Sequence, residues 1–397
     1  MASVLLLLTY LAIILLIGLL TSIVSQKLKI PNILLLLLIG IGLEKIDYKG
    51  GPLIEFPEIF MAGISILALV MIVFDSWSRL KLKKDYFSLH TLWLSIVFLI
   101  FNLIFLTAFT MVIFDVGSIF LALIFSVLMS GTDPSAVLSM FKNIKNKVLD
   151  FLGLESLLNT PFVVLIPFII LDLKEALKDE IGIAIFIDQI VPLLQQFIVG
   201  IAIGVLAGFI MFKFMRKKYS AVLSPLVVIT SALLAYVIAE NLNGSGVFAA
   251  ASMGLLFGAV HLSHKPQLQS FASVFSNSLG IFVFVLIGII VSIDFSVNFL
   301  IKSLLLFLVY ILIRFVSILF ALRGMDFTIK EKLFMSLNVQ KGIAVAVVVF
   351  SLATLDIEGI GTVLNLALAF MLYSIILSSV VLKIAKFFVN DIREKKG

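Results

Sequence analysis

The sequence predicts an all-α polytopic membrane protein with about thirteen transmembrane helices, forming two inverted repeats with discontinuous crossing helices. Composition is the first reason: of 397 residues, 62% are hydrophobic and 13% are charged, whereas soluble domains are about half apolar and a quarter charged. Secondly, apolar stretches long enough to cross a hydrocarbon core of about 30 Å recur along almost the whole chain. Thirdly, two of these stretches are interrupted by glycine and polar residues at similar depths.

Hydropathy divides the chain into the individual spans. The first span lacks a basic leading segment and a cleavage site, so we expect a retained helix and not a signal peptide. The second is short and begins at Pro31, a position at which proline removes no helical hydrogen bond. The predicted spans are residues 3–24, 31–43, 57–77, 87–113, 117–141, 148–171, 192–215, 220–240, 245–261, 274–293, 298–322, 332–354 and 357–388.

The distribution of Lys and Arg predicts the topology, because basic residues gather in cytoplasmic loops. Most of the 29 basic residues lie in the odd-numbered connections and the C-terminal segment. The even-numbered connections and their edges hold Lys45, Lys49, Lys174, Lys178 and Lys302. We therefore expect the N-terminus outside and the C-terminus in the cytoplasm, with residues 389–397 as a tail. The net charge of +6 follows from this asymmetry and does not require a nucleic-acid partner.

Two short apolar spans resemble each other and predict an internal repeat. The segment from Ile30 resembles the segment from Gly244, seven spans later. An odd offset gives the two copies opposite orientations in the membrane, an arrangement common in secondary transporters. The prediction is a single membrane domain over residues 1–397, with repeats at 1–172 and 219–388 and a linker containing span seven at 173–218.

Two interrupted spans predict an ion site at the membrane midplane. Span five contains Gly131-Thr132-Asp133-Pro134, in which proline removes a helical hydrogen bond and a carboxylate is buried. Span twelve contains the corresponding break, Asn338-Val339-Gln340-Lys341-Gly342. Irregular backbone at this depth has to line a cavity or be bound by protein. The alternative is a kink at Gly131 and Pro134 without further function.

Five ionisable residues lie inside spans, where each costs about 3 kcal/mol unless it is paired or hydrated. Glu155 and Arg314 are expected to pair, and Lys341 is expected to neutralise carbonyl groups at helix ends. Asp133 is then the group that would bind either H⁺ or an alkali cation, although an Asp that caps local amides is the alternative. Asp75 is either a second ligand or an interfacial residue paired with its neighbour Arg79.

Oxygen-bearing side chains follow Glu155 along the same helix face. Ser156, Asn159 and Thr160 are separated by about one helical turn, so their oxygens point to one side. Hydroxyl and carbonyl oxygens near Asp133 would complete an oxygen cage around an alkali cation.

These residues, taken in order along the chain, resemble the monovalent cation:proton antiporter superfamily, particularly its NhaP- and NHE-type sodium/proton antiporters. The resemblance rests on Thr132-Asp133-Pro134, on Glu155-Ser156-x-x-Asn159, on Arg314 and on Lys341-Gly342 in place of Arg-Gly. It implies an NhaA/NhaP-like fold in which a core of six helices moves against a dimerising panel, and hence a homodimer. It also implies that Asp133 carries the ion and the proton, that Ser156 is a ligand, and that Glu155 pairs with Arg314.

The chain departs from the family pattern at Thr160. Electroneutral relatives have Asn-Asp-Pro in span six and electrogenic ones have Asp-Asp, whereas this chain has Asn159-Thr160-Pro161. Cation affinity is expected to fall with the lost carboxylate. Asp75 resembles a span-three acid that faces the ion site in some relatives, and we expect it to compensate together with Ser156, Thr160 and the Thr132 backbone.

The leading function expected from these features is antiport of Na⁺, or of K⁺ or Li⁺, for H⁺ across the plasma membrane, in support of pH homeostasis. The alternatives are an ion facilitator or channel and a non-transporting ion sensor on the same fold, because of Thr160. No Walker motif is present for a nucleotide, and no H-E-x-x-H motif is present for a membrane enzyme. With no cysteine and three dispersed histidines, no metal or redox cofactor is expected.

Overall fold

The computed structural model describes most of the chain as long apolar helices. The described residues are 2–28, 31–48, 51–52, 54, 56–79, 86–134, 137–138, 141, 146–177, 183–217, 220, 222–260, 264–291 and 294–388. Besides helices, they contain a two-stranded hairpin in which β1 (Asp47–Tyr48) pairs antiparallel with β2 (Gly51–Pro52). The helices are α1 (Ala2–Leu28), α2 (Asn32–Glu44), α3 (Glu58–Ser78), α4 (Tyr86–Phe101), α5 (Thr107–Phe114), α6 (Ile119–Ser130), α7 (Lys147–Leu177), α8 (Ile183–Lys217), α9 (Leu223–Asn241), α10 (Gly246–Ala259), α11 (Lys265–Ile290), α12 (Val297–Ala321), α13 (Ile329–Leu337), α14 (Ile343–Ala353), α15 (Ile360–Lys383) and α16 (Ala385–Phe388).

The helices confirm the predicted all-α membrane architecture. Within the described residues, nine helical segments are long and apolar enough to cross a membrane, and four shorter apolar helices accompany them. Each predicted span overlaps one of these segments. The predicted tail, residues 389–397, lies outside the described residues. The predicted division into repeats 1–172 and 219–388 around 173–218 stays a prediction.

Several helices begin earlier than their predicted spans. Span ten was placed at 274–293, whereas α11 begins at Lys265. Its first turns, Lys265 to Ser273, are rich in polar residues but compatible with a helix, and Pro266 occupies the first turn, where proline is tolerated. Hydropathy marks the apolar part of such a helix and misses its polar start.

Small residues allow one group of helices to pack closely. Gly40 of α2 meets Gly288 of α11 so closely that a Cβ at Gly40 would lie 2.9 Å from the Gly288 Cα atom. A Cβ at Gly254 of α10 would lie 2.6 Å from the carbonyl oxygen of Phe74 in α3. Backbone contacts of this kind drive helix association where the surrounding lipid is as apolar as the side chains.

Aromatic side chains fill the space between another group of helices. Phe370 of α15 contacts Phe125 of α6, Phe307 of α12 and Tyr310 of α12 edge to face, with ring centroids 5.1, 5.2 and 5.7 Å apart. Edge-to-face pairs add to the stabilisation from burial. The predicted fourth span is also irregular, because a π-helical turn at Asn102–Leu106 joins α4 to α5.

The two interrupted spans meet at their breaks. Helix α6 ends at Ser130, and Gly131 is extended, with φ −70° and ψ 134°. Helix α13 ends at Leu337, and helix α14 begins after Gly342, which is also extended. The Asp133 N–H donates to the Gln340 carbonyl over 2.7 Å, so each break satisfies part of the other's backbone. The prediction of discontinuous helices at these two positions is confirmed.

Candidate ion site at the helix crossing

A polar cavity of about 170 Å³ lies beside the crossing. Side chains from α3, α7 and α11 line it together with the extended segment after α6 and the start of α14. Each residue predicted for ion or proton binding lines this cavity. The lining residues are Ile72, Asp75, Ser76, Gly131, Thr132, Asp133, Ser156, Asn159, Thr160, Val163, Ser276, Asn277, Gly342, Ile343, Ala344 and Val345.

Asp133 is held against the opposite break. A Cβ built on Gly342 would overlap Oδ2 of Asp133 and would lie 2.5 Å from its Cβ and 2.6 Å from its Cγ. A glycine at this position therefore lets the Asp133 carboxyl group approach the backbone of span twelve. Together with the Asp133 N–H bond to Gln340, this contact fixes Asp133 from both its backbone and its side chain.

Asn159 links helix α7 to the first break. Its Nδ2 donates to Oγ1 of Thr132 over 2.8 Å, and both residues are buried. Among the described residues, no hydrogen-bond donor reaches Oδ1 of Asn159. This amide oxygen is thus a buried acceptor at the cavity wall.

Thr160 contributes a hydroxyl group to the cavity wall. Its Oγ1 donates to the carbonyl oxygen of Ser156 over 2.6 Å, one helical turn earlier. The hydroxyl proton is directed back to the helix, so the Thr160 oxygen keeps lone pairs for a cation. Ser156 and Thr160 therefore present neutral oxygens to the cavity.

Asp75 both lines the cavity and pairs with its helical neighbour. Its Oδ1 accepts from Nε of Arg79 over 3.0 Å and from Oγ of Ser273 in α11 over 2.9 Å. The two sequence interpretations of Asp75, a cavity carboxylate and a partner of Arg79, are geometrically compatible. Its role as a cation ligand stays a prediction.

Two polar residues of the cavity wall were missed at the sequence level. Ser276 and Asn277 lie near the middle of α11, and Ser276 Oγ donates to the Met71 carbonyl over 3.1 Å. The predicted start of span ten at residue 274 placed them near the membrane surface. A helix start at Lys265 would have placed both at mid-membrane depth, where polar side chains indicate function.

Lys341 is bound to the C-terminal end of α6, the helix that leads into the other break. Its Nζ donates to the carbonyls of Met129 and Gly131 over 2.6 and 2.8 Å and to the Tyr310 hydroxyl over 2.6 Å. The carbonyl end of a helix carries partial negative charge, which a buried ammonium neutralises. Tyr310 lies in α12, which corresponds to the eleventh predicted span. This partner was not foreseen, because nothing in the sequence around Lys341 points to it.

Glu155 and Arg314 are in direct contact away from the cavity. Nη2 of Arg314 lies 2.7 Å from Oε2 of Glu155, and Nη1 lies 2.5 Å from Oε1. Both side chains are 0% exposed, and the guanidinium group also lies 4.5 Å from the centre of the Phe98 ring. The pair ties α7, which carries Ser156, Asn159 and Thr160, to α12.

Known antiporters of archaea and bacteria are similar to this chain. A probable Na⁺/H⁺ antiporter 2 from Methanocaldococcus jannaschii is 28% identical over 300 residues, which cover 72% of this chain and 68% of that protein. The K⁺/H⁺ antiporter NhaP2 of Shewanella sp. ANA-3 is 26% identical and is matched over 61% of this chain. The low-affinity Na⁺/H⁺ antiporter NhaS1 of Synechocystis is 26% identical over 66% of this chain. The chain spans 42% and 49% of the length of the last two relatives.

The fold is that of a solved antiporter. The structure of the sodium proton antiporter MjNhaP1 from Methanocaldococcus jannaschii at pH 8 matches with a TM-score of 0.77, covering 98% of this chain and 99% of that chain at 23% identity. The family model for the transmembrane part of sodium/hydrogen exchangers matches residues 11–387. This match extends over nearly the whole described helical region and includes both interrupted spans. The chain therefore belongs to the sodium/hydrogen exchanger family of membrane antiporters.

Proposed function

We propose that this protein is a secondary antiporter that exchanges a monovalent cation, foremost Na⁺, for H⁺ at the cavity beside the helix crossing. The observation that carries the proposal is that Asp133 and Asp75 share one cavity with the oxygens of Thr132, Ser156, Asn159 and Thr160. Carboxylate, hydroxyl and amide oxygens are the ligands preferred by hard cations. The family membership supports the same reading.

Coupling follows from competition for the Asp133 carboxyl group. In its ionised form the group attracts a cation, and after it binds a proton that attraction is lost. A cavity that opens alternately to the two sides then loads the cation on one side and the proton on the other. Ion gradients supply the energy in this scheme, and neither a nucleotide nor a chemical reaction is involved.

The relatives differ in the cation that their names give. Their names include both Na⁺/H⁺ and K⁺/H⁺ antiporters. Two carboxylates with neutral oxygens are compatible with Na⁺, K⁺ or Li⁺. We give Na⁺ first place because the relative from Methanocaldococcus jannaschii that aligns over 300 residues is described as a probable Na⁺/H⁺ antiporter.

The surroundings of the site are part of the same proposal. The segregation of basic residues supports an external N-terminus and a cytoplasmic C-terminus. The plasma membrane is the location that we propose. The family resemblance supports two inverted repeats and a homodimer. Glu155, Arg314 and Lys341 have structural roles in this scheme, because Glu155 pairs with Arg314 and Lys341 donates to the carbonyls of Met129 and Gly131.

The test is transport by the purified protein in vesicles with an imposed pH gradient. A pH-sensitive dye should report dissipation of the gradient when Na⁺, K⁺ or Li⁺ is added and no response to choline. Asp133→Asn should abolish the response, and Asp75→Asn should raise the KM for the cation. Asp115→Asn is the matched control, because Asp115 is exposed at the end of α5 with φ 51°, a conformation that Asn tolerates.

Each alternative gives a different result. A facilitator would move the cation down its own gradient without proton movement, and a sensor would move neither ion. Exchange that survives in Asp133→Asn would overturn the assigned centre. If Asp75→Asn transports like the wild type while Asp133→Asn is inactive, Asp75 is not a ligand.

A further inference from the structure

The Asp75 carboxyl group lines the cavity and also pairs with the guanidinium group of Arg79. Its Oδ1 accepts hydrogen bonds from Nε of Arg79 and from Oγ of Ser273. Arg79 follows directly after the end of α3, and its side chain is 42% exposed, against 16% for Asp75. The guanidinium group thus lies on the exposed side of Asp75, while Asp75 itself lines the cavity that contains Asp133.

Hydrogen bonds join α3, which carries Asp75, to α11, which carries Ser273. Gln269 Nε2 of α11 donates to the Ser78 carbonyl over 2.8 Å, and Ser276 Oγ donates to the Met71 carbonyl over 3.1 Å. These two bonds lie on either side of the contact between Asp75 and Ser273. The two bonds join α3 to α11 on both sides of Asp75, so a change of partner at Asp75 can occur by movement of side chains alone.

A guanidinium group and a transported cation compete for the same negative charge. Arg79 neutralises Asp75 when no cation is near, which makes a buried carboxylate less costly to keep ionised. A cation that uses Asp75 as a ligand has to weaken this pair. Conversely, renewed pairing with Arg79 helps the cation to leave.

We infer that Arg79 is a positioning residue that acts as an internal competitor for Asp75 and thereby sets a low affinity for the transported cation. This inference deepens the proposed exchange function and rests on it. Thr160 and Arg79 then both lower the affinity for the cation. Thr160 has no carboxylate where the family pattern has one, and Arg79 occupies the carboxylate of Asp75.

The test compares Arg79→Gln with Arg79→Lys in the vesicle assay, using Na⁺ as the probe. Arg79→Gln should lower the KM for Na⁺ about two- to fivefold, the scale expected for an ion pair with an exposed partner, and should lower kcat because release is slower. Arg79→Lys keeps a cation at the same helical spacing and should restore the wild-type KM. Arg323→Gln is the matched control, because Arg323 is an exposed arginine predicted on the same membrane side.

A binding measurement separates this inference from the exchange function. Stabilisation of the detergent-purified protein by Na⁺ in thermal unfolding reports affinity without transport. A KM and a binding constant in Arg79→Gln that equal those of Arg323→Gln would overturn the competition, as would a weaker affinity for Na⁺. If wild-type vesicles exchange no alkali cation at all, the proposed function fails, whereas tighter Na⁺ binding by Arg79→Gln still supports the competition.

Discussion

The contact between Gly342 and Asp133 gives a sharp test of the site geometry. In Gly342→Ala the new methyl group would overlap Oδ2 of Asp133 and lie 2.6 Å from its Cγ. Carbon atoms in contact are about 3.5 to 4.0 Å apart, so the carboxyl group or the break has to move by about 1 Å. Binding groups have to be held within about 0.5 Å of their working geometry. We therefore expect Gly342→Ala to lose at least about tenfold in cation affinity, which corresponds to about 1.4 kcal/mol.

The same substitution strains the crossing, and the strain is measurable separately. Insertion of a methyl group into a well-packed interior costs about 1 to 3 kcal/mol, so a moderate decrease in Tm is expected. Gly42→Ala is the control, because a Cβ at Gly42 meets no atom within 4 Å and a helical alanine is favourable. Vesicle transport gives the KM and thermal unfolding gives the Tm. Wild-type KM in a stable Gly342→Ala protein would refute the placement of Asp133 as an ion ligand.

Three further predictions concern the buried charges, the missing carboxylate and the topology. Glu155→Gln should destabilise the protein by about 3 to 5 kcal/mol, whereas Glu155→Leu combined with Arg314→Met should recover most of that loss. Thermal unfolding checks both variants. Equal Tm values for the single and the double variant would contradict the pairing. Thr160→Asp adds a carboxylate to the cavity wall and should lower the KM for Na⁺ about tenfold or more, with an unchanged or higher KM as the contrary result. The chain contains no cysteine, so a single introduced cysteine can be labelled selectively. Gly117→Cys should react with impermeant thiol reagents from outside the cell, and Arg323→Cys should react only after the membrane is opened. The reverse pattern would invert the topology.

The interrupted helices could be predicted because their sequences conflict with an ordinary span. Pro134 cannot donate a helical hydrogen bond, and Asp133 and Lys341 are costly in a lipid interior. Both signals are local, so one stretch of sequence is sufficient to detect them. The structure adds the bond between the Asp133 N–H and Gln340, which joins residues more than 200 positions apart.

The rest of the site depends on contacts that leave no local signal. Tyr310 resembles any aromatic residue of an apolar helix until its hydroxyl is seen 2.6 Å from Lys341. Ser273 lies at the end of the polar-rich start of α11, and its bond to Asp75 depends on how α3 and α11 are packed. The π-helical turn at Asn102–Leu106 likewise has no proline or glycine to announce it. In the folded protein, Nδ2 of Asn102 donates to Ser130 at the end of α6.

The five intramembrane charges divide according to what surrounds them. Glu155 and Arg314 neutralise each other, and Lys341 donates to three oxygen atoms. The residues Glu155, Arg314 and Lys341 are not among the lining residues of the described cavity. Asp75 and Asp133 are the two that line it. They lie on separate elements, Asp75 on α3 and Asp133 in the break after α6, so relative movement of those elements changes the distance between the carboxylates. In the exchange that we propose, a cation bound by both would therefore favour one arrangement of the helices and a proton on Asp133 would favour the other.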